Sequence, residues 1–177
     1  VAPSDTIGIV KPGDDTGVHG LAISPDLDTV VYTLAAAIDP QRGWGLAGES
    51  WRAMEALQRY VAVRPAGSTA APNWFNLGDR DLATHFYRTA RLREGASLSQ
   101  LTAEICAAWA VSQRLIPLSN DFLHTVVTPA GRTDEAFQEY FGNVRPRDPG
   151  ERVQDPGADF AEFTPARDRG LPGARRW

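Results

Sequence analysis

The sequence predicts an α/β fold, on two observations. Short apolar, β-branched stretches such as residues 6–10 run into turns rich in proline, glycine and aspartate, as strands do. Longer stretches with apolar residues at helical spacing follow them, the clearest lying within residues 19–39. With 177 residues, 42% of them hydrophobic and 23% charged, the chain is long enough for one globular domain with a core.

The composition restricts the class of function. A formal net charge of −4 leaves no basic surface for nucleic acid, so local arginines or a metal must hold any phosphate-bearing ligand. Cys106 is the only cysteine, which excludes an internal disulfide framework and fits a reducing cytoplasm. No apolar run approaches the roughly 20 residues that a membrane span needs. We therefore expect a soluble, cytoplasmic protein that binds neither nucleic acid nor membrane.

The first strand is predicted at residues 6–10, and an acidic turn follows it. Gly13, Asp14 and Asp15 form that turn. In open α/β sheets, ligands bind where strands end and loops lead into helices. Asp14 and Asp15 are therefore expected near the start of the next helix, with a solvated turn as the alternative.

The helix within residues 19–39 begins with two carboxylates. Ser24 is predicted as its N-cap and Pro25 as its first residue, where no backbone donor is needed. The helix dipole favours Asp26, which is explained as a helix-start residue. Asp28 adds like-charge repulsion that a cation, a donor or a hydroxyl group must offset, so the pair indicates a site. The buried face is predicted from the spacing of Val30, Val31, Leu34 and Ile38.

A glycine-rich loop at residues 39–50 separates this helix from the next. Ser50 is predicted as the N-cap of the second helix. Trp44 and Trp51 could close over a flat ligand, although packing is the commoner role of such tryptophans. The buried face of the second helix is predicted from Met54, Leu57 and Val61.

Residues 73–85 carry the second cluster of polar side chains. Gly78 allows a tight turn, and Asp79 is predicted as the N-cap of a helix. Asp81 and His85 share one face of that helix at i and i+4. The structural interpretation of this cluster is a helix cap at Asp79, a surface arginine at Arg80 and a helical pair of Asp81 with His85. In the functional interpretation, Arg80 binds phosphate, while an aspartate holds Mg²⁺ or accepts a proton. The buried face is predicted from Leu82 and Phe86.

The remaining elements are mainly scaffold. Residues 97–100 fit a capping box, and the helix behind it carries Leu98, Leu101, Ile105 and Trp109 on one face. Strands are predicted at residues 114–118 and 124–128, with Asp121 where the first of them ends. Residues 137–141 form a short strand or a helical turn, and another short strand is predicted at 159–164. Residues 164–177 are predicted to be a disordered or non-native tail.

Several common catalytic motifs are missing from the sequence. It contains no P-loop, no C-x-x-C pair and no G-x-S-x-G. What remains is a set of acidic residues in loops and at helix N-termini, with Arg80 close to some of them in the sequence. This set suits metal-assisted transfer of a phosphate-linked group.

Two longer motifs carry a family resemblance. HGLAISPDLDTVVYTL, followed by WFNLGDRDLATH, resembles the 2-phospho-L-lactate transferase family of deazaflavin coenzyme F-420 biosynthesis. Further matches are GDD at residues 13–15, GWG at 43–45, LREGASLSQLT, IPLSND and FQEYF. The resemblance covers roughly residues 7–163.

The resemblance implies a fold and a reaction. The fold is a three-layer, Rossmann-like α/β sheet with helices on both faces, incomplete at both ends, and residues 1–163 form a partial transferase domain. The reaction moves a phospholactyl or phosphoenolpyruvyl group from a guanosine diphosphate-linked donor to the ribityl hydroxyl of a deazaflavin, with Mg²⁺ and release of GMP. It proceeds by direct displacement at phosphorus without a covalent enzyme intermediate. The full-length protein is expected to be a homodimer.

The resemblance also assigns roles to the acids. Asp26 and Asp28 are expected at the metal and the deazaflavin, and the choice of catalytic base stays open among Asp28, Asp79 and Asp81. The other residues expected to bind substrate are Asn76, Arg80, His85, Asp14, Asp15 and Asp121.

Two departures from the family pattern are expected to affect activity. The glycine-rich strand and turn expected before residue 6 are missing, as is a downstream half with a segment for the guanosine nucleotide. We therefore expect this chain alone to be a poor catalyst or inactive. The alternatives are a non-catalytic nucleotide-sugar-binding regulator, as in the related gluconeogenesis-factor proteins, and a pseudogene product. The pairing of PDLDT with LGDRD favours the transferase.

Overall fold

The computed structural model describes residues 6–72, 75–127, 135–136 and 164–167. Four helices and seven strands lie within them. In chain order they are β1 (Ile7–Val10), β2 (Thr16–Val18), β3 (Leu21–Ile23), α1 (Pro25–Leu34), α2 (Arg52–Val61), α3 (Asp81–Arg93), α4 (Leu98–Ala108), β4 (Arg114–Pro117), β5 (Leu123–Val127), β6 (Glu135–Ala136) and β7 (Thr164–Arg167).

The strands form three small sheets. β1 and β4 pair in parallel, with Ile7 opposite Arg114 and Ile9 opposite Ile116. β2 and β3 form an antiparallel hairpin, and β5 lies antiparallel between β6 and β7. A parallel pair whose connection contains helices is the arrangement of Rossmann-like α/β folds, so the predicted fold class is confirmed.

The first helix begins where the sequence predicted and ends earlier. Ser24 occupies the N-cap position and Pro25 the first turn, but the helix stops at Leu34. Ala36 has a φ of 52°, and the Ala37 N–H donates to the carbonyl oxygen of Tyr32 at 2.8 Å, which is the hydrogen bond of a Schellman C-cap. Placing Ile38 on the helical face was therefore wrong. Ile38 lies in a β-bridge to Leu46 instead.

The main hydrophobic core lies between α1, α4 and β4. It contains Leu27 and Val31 of α1, Leu101 and Ile105 of α4, and Leu115 of β4. The capping box predicted for α4 is confirmed by reciprocal hydrogen bonds between Ser97 and Gln100. A second, smaller cluster consists of Val18, Ile23, Met54 and Leu77.

Helix α3 buries a polar face. Its buried residues are Thr84, His85, Arg88 and Thr89, whereas Phe86 is 56% exposed. Placing Phe86 on the buried face was therefore wrong. The face that packs against the rest of the protein holds its polar groups in an internal network, so apolar spacing does not mark it.

Helices α2 and α3 cap each other through the residues that precede them. Both carboxylate oxygens of Asp79 accept hydrogen bonds at the start of α2, from Arg52 N and Ala53 N, each at 3.0 Å, and Ser50 Oγ also donates to Asp79. The Glu49 carboxylate accepts hydrogen bonds from Arg80 N and Asp81 N at the start of α3. Asp79 thus caps α2 in place of its own helix. Ser50 supports this exchange rather than serving as the N-cap, a position that Trp51 occupies.

Arg42 lies between the two tryptophans of the glycine-rich loop. Its guanidinium carbon is 5.1 Å from the centre of the Trp44 ring and 5.0 Å from that of Trp51. Both tryptophans therefore make cation–π contacts with the same guanidinium. The geometry agrees with the packing interpretation of both tryptophans.

The C-terminal predictions are tested only in part. The described residues include β5 and the strand β7 at the start of the segment predicted to be a tail. Residues 137–141, most of 159–164 and 168–177 lie outside the described residues, so the division at residue 163 stays a prediction. Among the described residues, no helix is long and apolar enough to cross a bilayer.

Candidate functional site

The first turn of α1 and the first two turns of α3 bring three potential metal-ligand side chains together. Asp28, Asp81 and His85 each offer one ligand atom, and these atoms lie within 4.8 Å of one another. Asp28 and His85 are buried, and Asp81 is half-buried. We call these three residues the acid–histidine cluster. The arrangement is compatible with a divalent cation.

Arg88 is the buried counter-ion of the cluster. Its guanidinium forms an ion pair with Asp28 Oδ1. The Nη1 atom of Arg88 lies 3.1 Å from His85 Nδ1, and the Arg88 side chain is 1% exposed. The sequence analysis did not single out Arg88. Its spacing from Asp81 and His85, which places all three on one face of α3, is the signal that could have found it.

Arg88 also fixes which nitrogen of His85 carries the ring proton. Because a guanidinium only donates hydrogen bonds, Nδ1 of His85 must accept. The ring proton therefore belongs on Nε2, which lies 3.3 Å from Asp81 Oδ2. His85 accordingly links the charge of Arg88 to the carboxylate of Asp81.

Asp81 stays ionised although it is partly buried. Burial alone would raise its pKa, but contacts with His85 and with the Tyr32 hydroxyl outweigh this effect and hold the pKa of Asp81 below its usual value. Asp28 keeps its second oxygen available: Oδ2 is buried and accepts no hydrogen bond from any described residue. The cluster thus presents carboxylate oxygens at a site from which water is largely excluded.

The acidic turn after β1 lies against this region. The Gly13 N–H donates to Asp26 Oδ2 at 3.1 Å, which confirms the expected closeness of the turn to the start of α1. Asp15 is 1% exposed, and its Oδ2 accepts a hydrogen bond from Leu123 N at 3.3 Å. Burial raises the pKa of Asp15 to about 7, and its hydrogen bonds to Ser24 and Leu123 offset only part of that rise.

Comparisons with known proteins decide the family. The model of the 2-phospho-L-lactate transferase CofD family matches residues 2–148. The chain belongs to this family. The phosphoenolpyruvate transferase of Mycobacterium ulcerans (strain Agy99) is 44% identical over 149 residues, which cover 81% of this chain and 43% of that protein. The protein of the same name from Mycobacterium tuberculosis (strain ATCC 25618 / H37Rv) is 44% identical over 146 residues, which cover 80% of this chain and 42% of that protein. The chain thus spans less than half the length of these relatives.

Of the two aspartates that the sequence paired as metal ligands, Asp28 belongs to the acid–histidine cluster and Asp26 does not. Asp26 accepts a hydrogen bond from the Gly13 backbone, and burial together with the nearby Asp14 raises its pKa. Asp28 lies with Asp81 and His85 instead. The physical reason is helical geometry, because residues i and i+2 do not face each other. His85, which the family resemblance placed among the substrate-binding residues, lies beside both carboxylates of the cluster.

The other residues expected from the CofD-family motifs lie outside the acid–histidine cluster. Asp79 is engaged at the start of α2, where hydrogen bonds from Ser50 and Ala53 lower its pKa. This contact gives Asp79 a capping role, and the catalytic role expected for it stays a prediction. Arg80 is exposed and donates to the Ala47 carbonyl oxygen at 2.6 Å. Asn76 and Asp121 are exposed.

Asp15 gives a pH-dependent prediction. Its pKa is raised in the folded state, so its contribution to stability is complete below about pH 4 and is lost as the pH rises towards 7. Asp15→Asn keeps the shape without the charge. Above pH 7, we expect the free energy of unfolding of this variant to be about 2 kcal/mol higher than that of the wild type. Near pH 4 we expect a difference of about 0.5 kcal/mol or less. Urea unfolding at pH 4, 6 and 8 measures both values, and an equal pH dependence of the two proteins would contradict the prediction.

Proposed function

We propose that this chain carries the cation-binding part of a transferase active site. The enzyme would move a phosphoenolpyruvyl or phospholactyl group from a guanosine diphosphate-linked donor to the ribityl hydroxyl of a deazaflavin, releasing GMP. The observation that carries the proposal is the convergence of Asp28 and Asp81, from the family's two motifs, beside His85. The name phosphoenolpyruvate transferase, borne by the mycobacterial relatives, favours the phosphoenolpyruvyl group.

The residues of the cluster fit a divalent cation such as Mg²⁺. Asp28 Oδ2 is a buried carboxylate oxygen without a hydrogen-bond donor among the described residues. Two carboxylates and one guanidinium leave a net negative charge that a cation would offset. Mg²⁺ prefers oxygen ligands and is commonly held by one or two carboxylates. We therefore assign coordination to Asp28 and Asp81, and the orientation of Asp81 to His85.

A cation held there would supply positive charge to the phosphate during transfer. The chain's own residues do the positioning. In the displacement, the acceptor oxygen forms a bond to phosphorus, the bond from phosphorus to the GMP oxygen breaks, and the hydroxyl proton passes to a base or to water. We assign the orientation of that hydroxyl to Asp81, which is kept ionised. Arg88 is committed to Asp28 and His85, so the exposed Arg80 is the arginine that we assign to the donor phosphates.

A chimaera tests the proposal. Residues 7–148 of this chain would replace the matching segment of the Mycobacterium tuberculosis relative, and GMP release would be followed with donor, deazaflavin and Mg²⁺. We expect turnover that depends on both acceptor and Mg²⁺, whereas the 177-residue chain alone should show little. Saturable nucleotide binding by the chimaera without turnover would support a regulator and contradict the transferase. The unmodified relative is the positive control.

A further inference from the structure

Tyr32 joins the hydrophobic core to the acid–histidine cluster. The side chain is fully buried, and its ring packs edge-on against Trp109, with 5.1 Å between the ring centres. Its hydroxyl oxygen lies 2.5 Å from Asp81 Oδ1 and 2.9 Å from Thr84 Oγ1. One hydroxyl of α1 therefore contacts two residues in the first turn of α3.

The direction of these hydrogen bonds follows from the groups present. The ionised carboxylate of Asp81 only accepts, so the single phenolic proton of Tyr32 is donated to Asp81. The Thr84 hydroxyl is then left to donate to the Tyr32 oxygen. Burial and the nearby Asp28 and Asp81 raise the pKa of Tyr32, so the phenol keeps its proton. The result is a short chain of hydrogen bonds with one orientation.

The two oxygens of Asp81 thereby lie next to different partners. Oδ1 receives the Tyr32 proton, and Oδ2 lies 3.3 Å from His85 Nε2. Together these contacts define the plane of the carboxylate. We propose that Tyr32 is a positioning residue, whose hydroxyl holds the Asp81 carboxylate in the orientation that faces Asp28 and binds the cation. The inference rests on the proposed function and adds a residue that the sequence analysis did not single out.

The same chain offers a matched control on α3. The Tyr87 hydroxyl lies 2.8 Å from Glu104 Oε2, so it is also a tyrosine hydrogen-bonded to a carboxylate. Arg91 contacts both oxygens of Glu104, at 2.9 and 2.8 Å, so that carboxylate is held without the tyrosine. Replacing either tyrosine with phenylalanine removes one hydroxyl and keeps the ring.

The test compares the Mn²⁺ affinities of Tyr32→Phe and Tyr87→Phe with that of the 177-residue wild type by calorimetric titration. We expect Tyr32→Phe to bind Mn²⁺ about 10-fold more weakly, since removing a partner of a metal ligand has effects of this size. Tyr87→Phe should stay within about 2-fold of wild type. In an Asp81→Asn background, Tyr32→Phe should have no further effect on affinity, because no ionised carboxylate is left to orient.

Wild-type Mn²⁺ affinity in Tyr32→Phe would overturn the inference while leaving the proposed function intact. A lower Tm of this variant without a change in affinity would mark the hydroxyl as merely structural and would overturn it as well. Failure of the wild-type chain to bind Mn²⁺ would instead overturn the proposed cation site. The crystal structure of Tyr32→Phe then decides the positioning role: a rotated Asp81 carboxylate supports it, and an unchanged one contradicts it.

Discussion

Asp81→Asn is expected to weaken Mn²⁺ binding by about 100-fold or more, and Asp28→Asn by a similar factor. Each substitution removes the charge of one of the two carboxylates that we assign to the cation and leaves its size almost unchanged. In the chimaera, transferase turnover should fall by about the same factor. Asp81→Asn is the cleaner of the two, because Asp28 also forms the ion pair with Arg88.

Asp79→Asn and Asp26→Asn are the matched controls for this prediction. Asp79 accepts its hydrogen bonds at the start of α2, and Asp26 accepts one from Gly13. Asp79→Asn should lower Tm because the α2 cap is weakened, yet leave Mn²⁺ affinity within about 2-fold. If Asp26→Asn weakened Mn²⁺ binding as much as Asp81→Asn, the result would favour Asp26 and Asp28, the ligands predicted from sequence, as the cation site.

Arg88→Met is expected to lower the free energy of unfolding by about 3–5 kcal/mol. The substitution leaves the buried carboxylate of Asp28 without its counter-ion and removes the donor that faces His85 Nδ1. Urea unfolding measures the loss. Arg59→Met, which removes an exposed arginine from α2, should change the same quantity by about 0.5 kcal/mol or less.

A double variant separates loss of the ion pair from loss of packing. Arg88→Met with Asp28→Asn removes both charges, so it should be more stable than the sum of the two single changes predicts. A cost below about 1 kcal/mol for Arg88→Met alone would contradict the assignment of Arg88 as the buried counter-ion. Strict additivity of the two changes would contradict it as well.

Local signals explain why several elements could be predicted from sequence. The strand β1, the start of α1 at Ser24 and Pro25, and the capping box at Ser97 each depend on residues that are close together in the chain. The end of α1 was missed because Ala36 adopts the left-handed conformation that glycine usually marks.

Contacts between distant segments explain what the sequence could not show. The exchange of caps between Glu49 and Asp79 depends on how two helices meet, and a helix-start pattern contains no such information. Likewise, the buried face of α3 is polar, so hydrophobic spacing predicted Phe86, and not Arg88, as a buried residue. The motifs located the segments that carry the acid–histidine cluster. Which of their carboxylates meet depends on the side-chain contacts between α1 and α3.

The position of a bound Mn²⁺ ion tests the cation site most directly. Crystals of the chain grown with Mn²⁺ would be measured for anomalous scattering, which identifies the ion independently of the protein atoms. We predict a peak between Asp28 and Asp81, about 2.0–2.3 Å from a carboxylate oxygen of each. A peak held by Asp26 and Asp14, or the absence of any peak at Asp81, would contradict the site.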